Sequence, residues 1–356
     1  MTFSQKLIHV LAAAAVGLAG AALFASIHAP LPWMLGSMFA TAVVTLASGF
    51  PYRMPRAART FARPVIGVLA GSTFSPALFA SAADWWPAFI VVGIFAFITT
   101  SAGYVFFRFV CRFDPTTSFF ASTPAGLNEM SLLGDSLGGD LRTLVLVHAT
   151  RILAVVSIIP LVVRTSAHVD VPLLLPEHPI GHIEDLAVLV ACGLAGYFIG
   201  TRLPIPAGPM LISMLFSAAA HLAQITDAAP PSWLVSGVQV VIGCIAGARF
   251  AGIHWREARM IAVSSVAWAI LIVGAAFLTA YTASNLVGIP FNSLLLSLAP
   301  GGMVEMTLIA YALGIEVAFV IACQIFRNVF TVLTLPYIYR LLHADRPEKP
   351  GPDQTG

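Results

Sequence analysis

Residues 176 positions apart match along nearly the whole chain, and a sequence duplicated in this way must fold as two like units. From Val16 to Met38, nine of 23 positions are identical to their partners, among them Pro30 with Pro206 and Met34-Leu35 with Met210-Leu211. Chance would give roughly two at ordinary residue usage. Val65-Ile66-Gly67 and Ala70-Gly71 match Val241-Ile242-Gly243 and Ala246-Gly247, and Phe74 matches Phe250. The run Pro124-Ala125-Gly126-Leu127-Asn128-Glu129-Met130 meets Pro300-Gly301-Gly302-Met303-Val304-Glu305-Met306, followed by Leu137-Gly138 with Leu313-Gly314. Arg151 with Arg327 and Pro160 with Pro336 complete the series, with no gap between.

The two units belong in a bilayer. Of 356 residues, 58% are hydrophobic and 10% charged, against about 25% charged in a soluble domain. A net charge of +2 with no Lys/Arg stripe excludes nucleic acid as a partner. The four cysteines, Cys111, Cys192, Cys244 and Cys323, stand far apart without a C-x-x-C pair, and read as small hydrophobes. The first 29 residues imitate a cleavable signal peptide. Their Gly17-Leu18-Ala19-Gly20, however, recurs as Gly193-Leu194-Ala195-Gly196, so this segment is expected to be a structural helix that stays in the mature protein.

A spanning helix needs about 20 mainly apolar residues. Copy one supplies five candidates, 8–27, 30–48, 63–81, 87–109 and 142–163, and copy two repeats them. Each copy also holds an odd segment, 115–138 or 291–314, interrupted by P-x-G-x-x-E-M, where proline and glycine break a helix near its middle. Positive charge arbitrates whether these segments cross. If they do not, Lys6, the loop with Arg53, Arg56, Arg59 and Arg63, the pair Arg108 and Arg112, then Arg202, Arg249, Arg256 and Arg259, and finally Arg340, Arg346 and Lys349 all fall on the cytoplasmic side. The linker, with Asp170 and Glu177, then lies outside. If they do cross, the Arg249 to Arg259 cluster lands outside. The expectation is an all-α polytopic membrane protein of two inverted-topology repeats, each with about five transmembrane helices and a broken or re-entrant hairpin. Its parts are a first repeat 1–164, an extracytoplasmic linker 165–182, a second repeat 183–342 and a disordered cytoplasmic tail 343–356. The bacterial inner membrane, with both termini cytoplasmic, is the expected location.

Paired broken segments in inverted repeats are the pattern of secondary transporters, whose sites form near the midplane from helix ends and freed backbone groups. The expected substrate or ion site comprises Pro124, Gly126, Asn128 and Glu129 of the first break, and Pro300, Gly301, Gly302 and Glu305 of the second. His148, Arg151, Gln324 and Arg327 on the helices that follow join it. Asp140 and Glu316 mark the starts of those helices. A charge at the bilayer centre costs about 2.5 to 3.5 kcal/mol, which makes it a functional candidate by default. One reading makes the glutamates proton or sodium sites and the arginines anchors for an anion. The other pairs each Glu with an Arg as a buried clamp between hairpin and helix. Both stay open in the sequence.

The glycine pairs Gly17 and Gly20, Gly67 and Gly71, and Gly243 and Gly247 read as close helix packing. His178 and His182, with Glu177 and Glu184 nearby, have metal-ligand spacing, but Pro172, Pro176 and Pro179 argue against a helix there. Asp84-Trp85-Trp86 reads as an interfacial anchor.

The doubled P-x-G-x-x-E-M segments, each followed by Leu-Gly and then a helix with a central Arg and a closing Pro, resemble the AbrB-type membrane protein family with its tandem duplication. The resemblance covers roughly 7–342. It implies the labels ammonia monooxygenase or regulator of gene expression, neither of which follows from the residues. Asn128 against Val304, and His148 against Gln324, make any paired site asymmetric. Three functions stand in order: a secondary transporter of a small solute, with an anion the first candidate; a membrane sensor or regulator; and an oxygenase, for which no His/Asp/Glu cluster supplies a metal centre. The sequence assigns no catalytic residue and no cofactor. Its expected partners are the lipid bilayer, the solute and a second copy of the chain in a homo-oligomer.

Overall fold

The structure is a computed structural model that describes residues 3–29, 31–48, 56–76, 82–167, 183–203, 205, 207–251 and 255–342. Pro30, Arg53, Pro206, the linker with Asp170, Glu177, His178 and His182, and the tail with Arg346 and Lys349 lie outside the described residues, as do the side chains of Arg56, Arg59, Asn128, Arg256, Pro336 and Arg340. The described residues are helical, with no strand among them. Copy one runs α1 (Phe3–Ser26), α2 (Pro32–Ser48), α3 (Arg56–Gly71), α4 (Trp86–Val105), α5 (Pro115–Ser122), α6 (Leu127–Ser136) and α7 (Leu141–Ala167). After it come α8 (Ile183–Gly200), α9 (Gly208–Leu222), α10 (Ser232–Gly247), α11 (Trp255–Val287), α12 (Phe291–Leu298), α13 (Met303–Ala312) and α14 (Val317–Leu342). Seven helical runs among the described residues are long and apolar enough to cross a membrane.

Four helices differ from the expected spans: α10 ends at Gly247 where the repeat of 63–81 would run to 257, and the other three are short. α2, α3 and α9 have 17, 16 and 15 residues, or about 22 to 26 Å at 1.5 Å per residue, short of a hydrocarbon core of about 30 Å. The expected segment 63–81 is instead α3, which starts earlier and ends at Gly71. Its first turns carry arginines, which an apolar window discards, yet Arg and Ala are strong helix formers. The hydroxyls of Ser72 and Thr73 donate to the carbonyls of Leu69 and Ala70 at 2.8 and 2.7 Å and close its end.

Together with α10, these short helices form a crossed centre in which the second helix of each copy packs on the third helix of the other. A Cβ on Gly67 of α3 would lie 2.1 Å from the carbonyl oxygen of Met210 in α9, and one on Gly71 would lie 2.6 Å from that of Met214. In the other pair, Gly243 and Gly247 of α10 stand 2.5 Å from the carbonyl oxygens of Met34 and Met38 in α2 by the same measure. Only glycine lets the backbones approach so closely. Ser217 Oγ adds a bond across the contact to the carbonyl of Val68 at 2.9 Å.

Each odd segment is a pair of short helices of 8 and 10 residues around an extended break. Asp114 caps α5, accepting from the Thr117 amide at 2.9 Å, with Pro115 at the first position. Thr123 and Ala299, each the residue before a proline, have ψ of 125°, because a following proline disfavours the α region. The helices resume at Gly126 and Gly302. In copy one the Asp140 amide donates to Thr117 Oγ1 at 2.8 Å, joining the entry of α5 to the residue before α7. The segment is therefore a hairpin that returns to the level at which it began.

The two hairpins have their mouths at different ends of α14. The second leads through Gly314 to Glu316 directly into the start of that helix. The first abuts its far end: Thr116 Oγ1 and Tyr339 Oη are 2.6 Å apart, and the Tyr339 ring packs on Phe119 and Phe120 at 5.1 and 5.4 Å. Val317 and Tyr339 are separated by about 33 Å of helix. α4 has the same polarity, with Trp85 against Phe319 at one end and Tyr104 against Phe119 at the other.

Candidate functional site

The site is built from the breaks outward. At the end of α5 the carbonyl groups have no partner within the helix. Arg151, one of the largest fully buried side chains, supplies it: Nη1 donates to Thr123 O at 2.7 Å and Nη2 to Ala125 O at 3.0 Å. Arg327 serves α12 in the same way, with Nη1 donating to Ala299 O at 2.9 Å and more weakly to Ser297 O and Leu298 O at 3.3 Å. A guanidinium at a helix C-terminus also meets the negative end of the macrodipole. Among the described residues, these hydrogen bonds go to backbone carbonyls or to Gln324, and none to Glu129 or Glu305. The arginines do clamp hairpin to helix, but through the backbone of the break.

The glutamates stand on the other side of the breaks. Each occupies the third position of the second half-helix, where a carboxylate favours the positive N-terminal end. Glu129 folds back so far that a Cβ on Gly126 would meet its Oε2 at 2.0 Å, and Glu305 lies over Gly302 at 1.9 Å by the same measure. The glycines of the motif thus make room for the carboxylates. Both tips face one cavity of about 130 Å³, lined by Gly126, Glu129, Gly302 and Glu305 together with Arg63, Arg249 and Asn328. Two carboxylates, two guanidinium groups and an amide from both copies share this space, which suits a proton or small ion and a small charged solute.

The expected site residues therefore divide. Gly126, Glu129, Gly302 and Glu305 line the cavity; Arg151, Arg327, His148 and Gln324 are fully buried supports behind it. Pro124 and Pro300 are buried and set the breaks, while Gly301 packs against Met306. The supports are unlike. Gln324 Nε2 donates to Leu296 O at 3.1 Å and Ala299 O at 3.3 Å, and its Oε1 accepts from Arg327. His148, at the matching place, approaches the backbone of Phe120 but forms no hydrogen bond of good geometry from either ring nitrogen among the described residues. Arg63, Arg249 and Asn328 were not expected here. The arginines read as cytoplasmic charges and are not related by the 176-residue offset, so the duplication does not single them out. Asn328 could have been found, as a polar residue where copy one has Ile152, which lines the same cavity. Among the described residues no three His, Cys, Asp or Glu side chains cluster as a metal site.

Residues 33–343 match the family described as "Transition state regulatory protein AbrB". The chain belongs to the AbrB family. Curated relatives run through the same length: the Escherichia coli (strain K12) protein named "Putative regulator AbrB" is 25% identical over 333 residues, 92% of this chain and 94% of the relative. The Bacillus subtilis (strain 168) protein named "Uncharacterized protein YhjN" is 28% identical over 307 residues, covering 80% and 78%. The matched region of this AbrB-family chain includes both hairpins and every residue lining the cavity. The names of the family and of the Escherichia coli relative are regulator-like and name no enzymatic activity.

Proposed function

We propose that this AbrB-family membrane protein is a secondary transporter of a small anionic solute, working by alternating access across the bacterial inner membrane. The observation that carries the proposal is the meeting of two hairpin tips from different copies at one cavity that holds Glu129, Glu305, Arg63 and Arg249. Broken helices at membrane depth are tolerated where they line such a cavity. The placement of the hairpin mouths at different ends of α14 supports inverted repeats, with hairpin one opening to the cytoplasm and hairpin two to the outside. In this scheme the guanidinium groups attract the anion, and the carboxylates take up the coupling proton or sodium ion. Both termini are cytoplasmic, and no cofactor or catalytic residue is assigned.

The test is solute uptake into proteoliposomes under a proton or sodium gradient. Wild type should accumulate solute in response to the gradient, whereas Glu129→Gln and Glu305→Gln should lose gradient-driven uptake. Uptake unchanged in both variants would remove the coupling role. The regulator-like names of the family and of the Escherichia coli relative favour a second reading, a membrane sensor. It predicts solute binding at the same cavity without net flux, so binding and uptake measured on one preparation separate the two.

A further inference from the structure

Arg259 at the start of α11 and the turn after α4 that carries Arg108 and Arg112, about 150 residues apart in sequence, meet at one lateral groove. Its volume is about 810 Å³, and Phe106, Val110, Met260, Val263 and Ala267 give it apolar walls. Val110, Met260 and Val263 are 64 to 71% exposed, so the groove opens sideways where acyl chains would lie. The π-helical turn Phe106–Val110 widens this end of α4, and Phe106 stacks on Trp268 at 5.6 Å.

The rim of the groove is cationic. Arg259 lines it, and Cys111 and Phe113, which flank Arg112, line it too. Arg108 donates to Phe113 O at 2.9 Å and holds this turn in place. No acidic side chain lines the groove among the described residues; neighbouring Asp114 is engaged as the cap of α5. Arg112 and Arg259 are both exposed.

Comparison of the copies shows what this end retains. Arg112 has φ of +61°, and its counterpart 176 residues on, Gly288, has φ of +70°. Copy two thus uses the residue suited to a left-handed turn, while copy one keeps an arginine there against that preference. The counterparts of Arg108 and Arg259 are Ser284 and Ala83. The basic rim therefore belongs to one end of the molecule alone among these matched positions, the end the positive charges place at the cytoplasm.

We infer that this groove is a binding site for an anionic phospholipid, its acyl chain on the apolar walls and its phosphate between Arg112 and Arg259. An apolar floor beneath a cationic rim matches an amphipathic anion, and the cytoplasmic leaflet supplies such lipids. The leaflet assignment rests on the inverted topology proposed above; the site itself does not.

The experiment is native mass spectrometry with thermal unfolding of the full chain in lipid-free detergent, titrated with phosphatidylglycerol, phosphatidylcholine or glycerol 3-phosphate. Wild type should bind phosphatidylglycerol in preference to phosphatidylcholine and gain thermal stability from it. Arg112→Gly with Arg259→Gln should weaken that preference roughly thirtyfold, and Arg259→Gln alone, at an exposed position, roughly fivefold. Arg112→Gly should fold at least as well as wild type before lipid is added, because glycine suits the turn. Equal binding of the two lipids by wild type, or a preference that survives both changes, would overturn the site. Stabilisation by glycerol 3-phosphate equal to that by phosphatidylglycerol would overturn the lipid in favour of a free anion.

Discussion

Arg151 reaches from the middle of α7 to the carbonyl oxygen of Thr123, 2.7 Å from its Nη1, at the residue where α5 gives way to the break. A second bond to Ala125 makes the guanidinium a two-pronged clamp over the break. Lysine cannot reproduce that fork. Arg151→Lys should therefore lower stability by about 3 kcal/mol, the cost of breaking charged hydrogen bonds in a dry site. Arg327→Lys should cost less, because Gln324 shares the Ala299 carbonyl and holds the second hairpin independently. Thermal unfolding in detergent reads both; equal losses would show that Gln324 adds nothing.

The crossed centre predicts opposite outcomes for one kind of substitution. A methyl group on Gly67 or Gly243 meets backbone carbonyls of the facing helix at 2.1 and 2.5 Å, which cannot move aside without parting the helices. Gly67→Ala and Gly243→Ala should each lose about 2 kcal/mol or more through overpacking. Gly237→Ala and Gly274→Ala, where a Cβ meets nothing within 4 Å, should be neutral or gain up to about 1 kcal/mol of helix propensity. The four melting temperatures measured side by side decide it, and similar values for both pairs would count against the packing.

The breaks were legible because their cause is local: Pro124 and Pro300 turn the preceding residue extended, and Gly126 and Gly302 leave room at the restart. The crossing of α3 with α9 was legible in part, through glycines four residues apart. The target of Arg151 was not, since a carbonyl 28 residues back carries no side-chain identity and Glu129 was the charged group in view. Nor was the start of α3, where arginines interrupt the apolar run yet favour helix. Arg63 and Arg249 escaped for a further reason. They come together through packing between copies, and nothing in either local sequence marks that meeting.

Asp140 and Glu316 occupy matching positions with different surroundings. Asp140 accepts from the Arg142 amide at 3.0 Å and from the Thr143 hydroxyl, and so caps α7. Burial raises the carboxyl of Glu316 above its usual range. A raised value in the folded state means that folding favours the protonated form, so stability falls as pH rises from the unfolded value, near 4.5, through the folded one. Glu316→Gln removes that dependence. The variant should melt higher than wild type at pH 8, and the difference should shrink as pH approaches 4.5. A difference that stays constant across this range would exclude titration of Glu316 as its source.

The hairpin mouths give the proposed topology its most direct check. Ser136 closes α6 at the mouth of hairpin one and is exposed, while Glu316 follows hairpin two at the start of α14. Thr116 meets Tyr339 at the other end of that helix, so the mouths are about 33 Å apart along it. If α14 crosses the bilayer, a membrane-impermeant thiol reagent added outside intact cells should label Glu316→Cys and leave Ser136→Cys unlabelled until the cells are opened. The native cysteines are Cys111, Cys192, Cys244 and Cys323, three of them buried, and all would be changed to serine or alanine as the background. Labelling of both positions from outside would mean that the hairpins open to one face. Inverted repeats would then fail, and with them alternating access between opposed hairpins, although the cavity and the arginine clamps would stand.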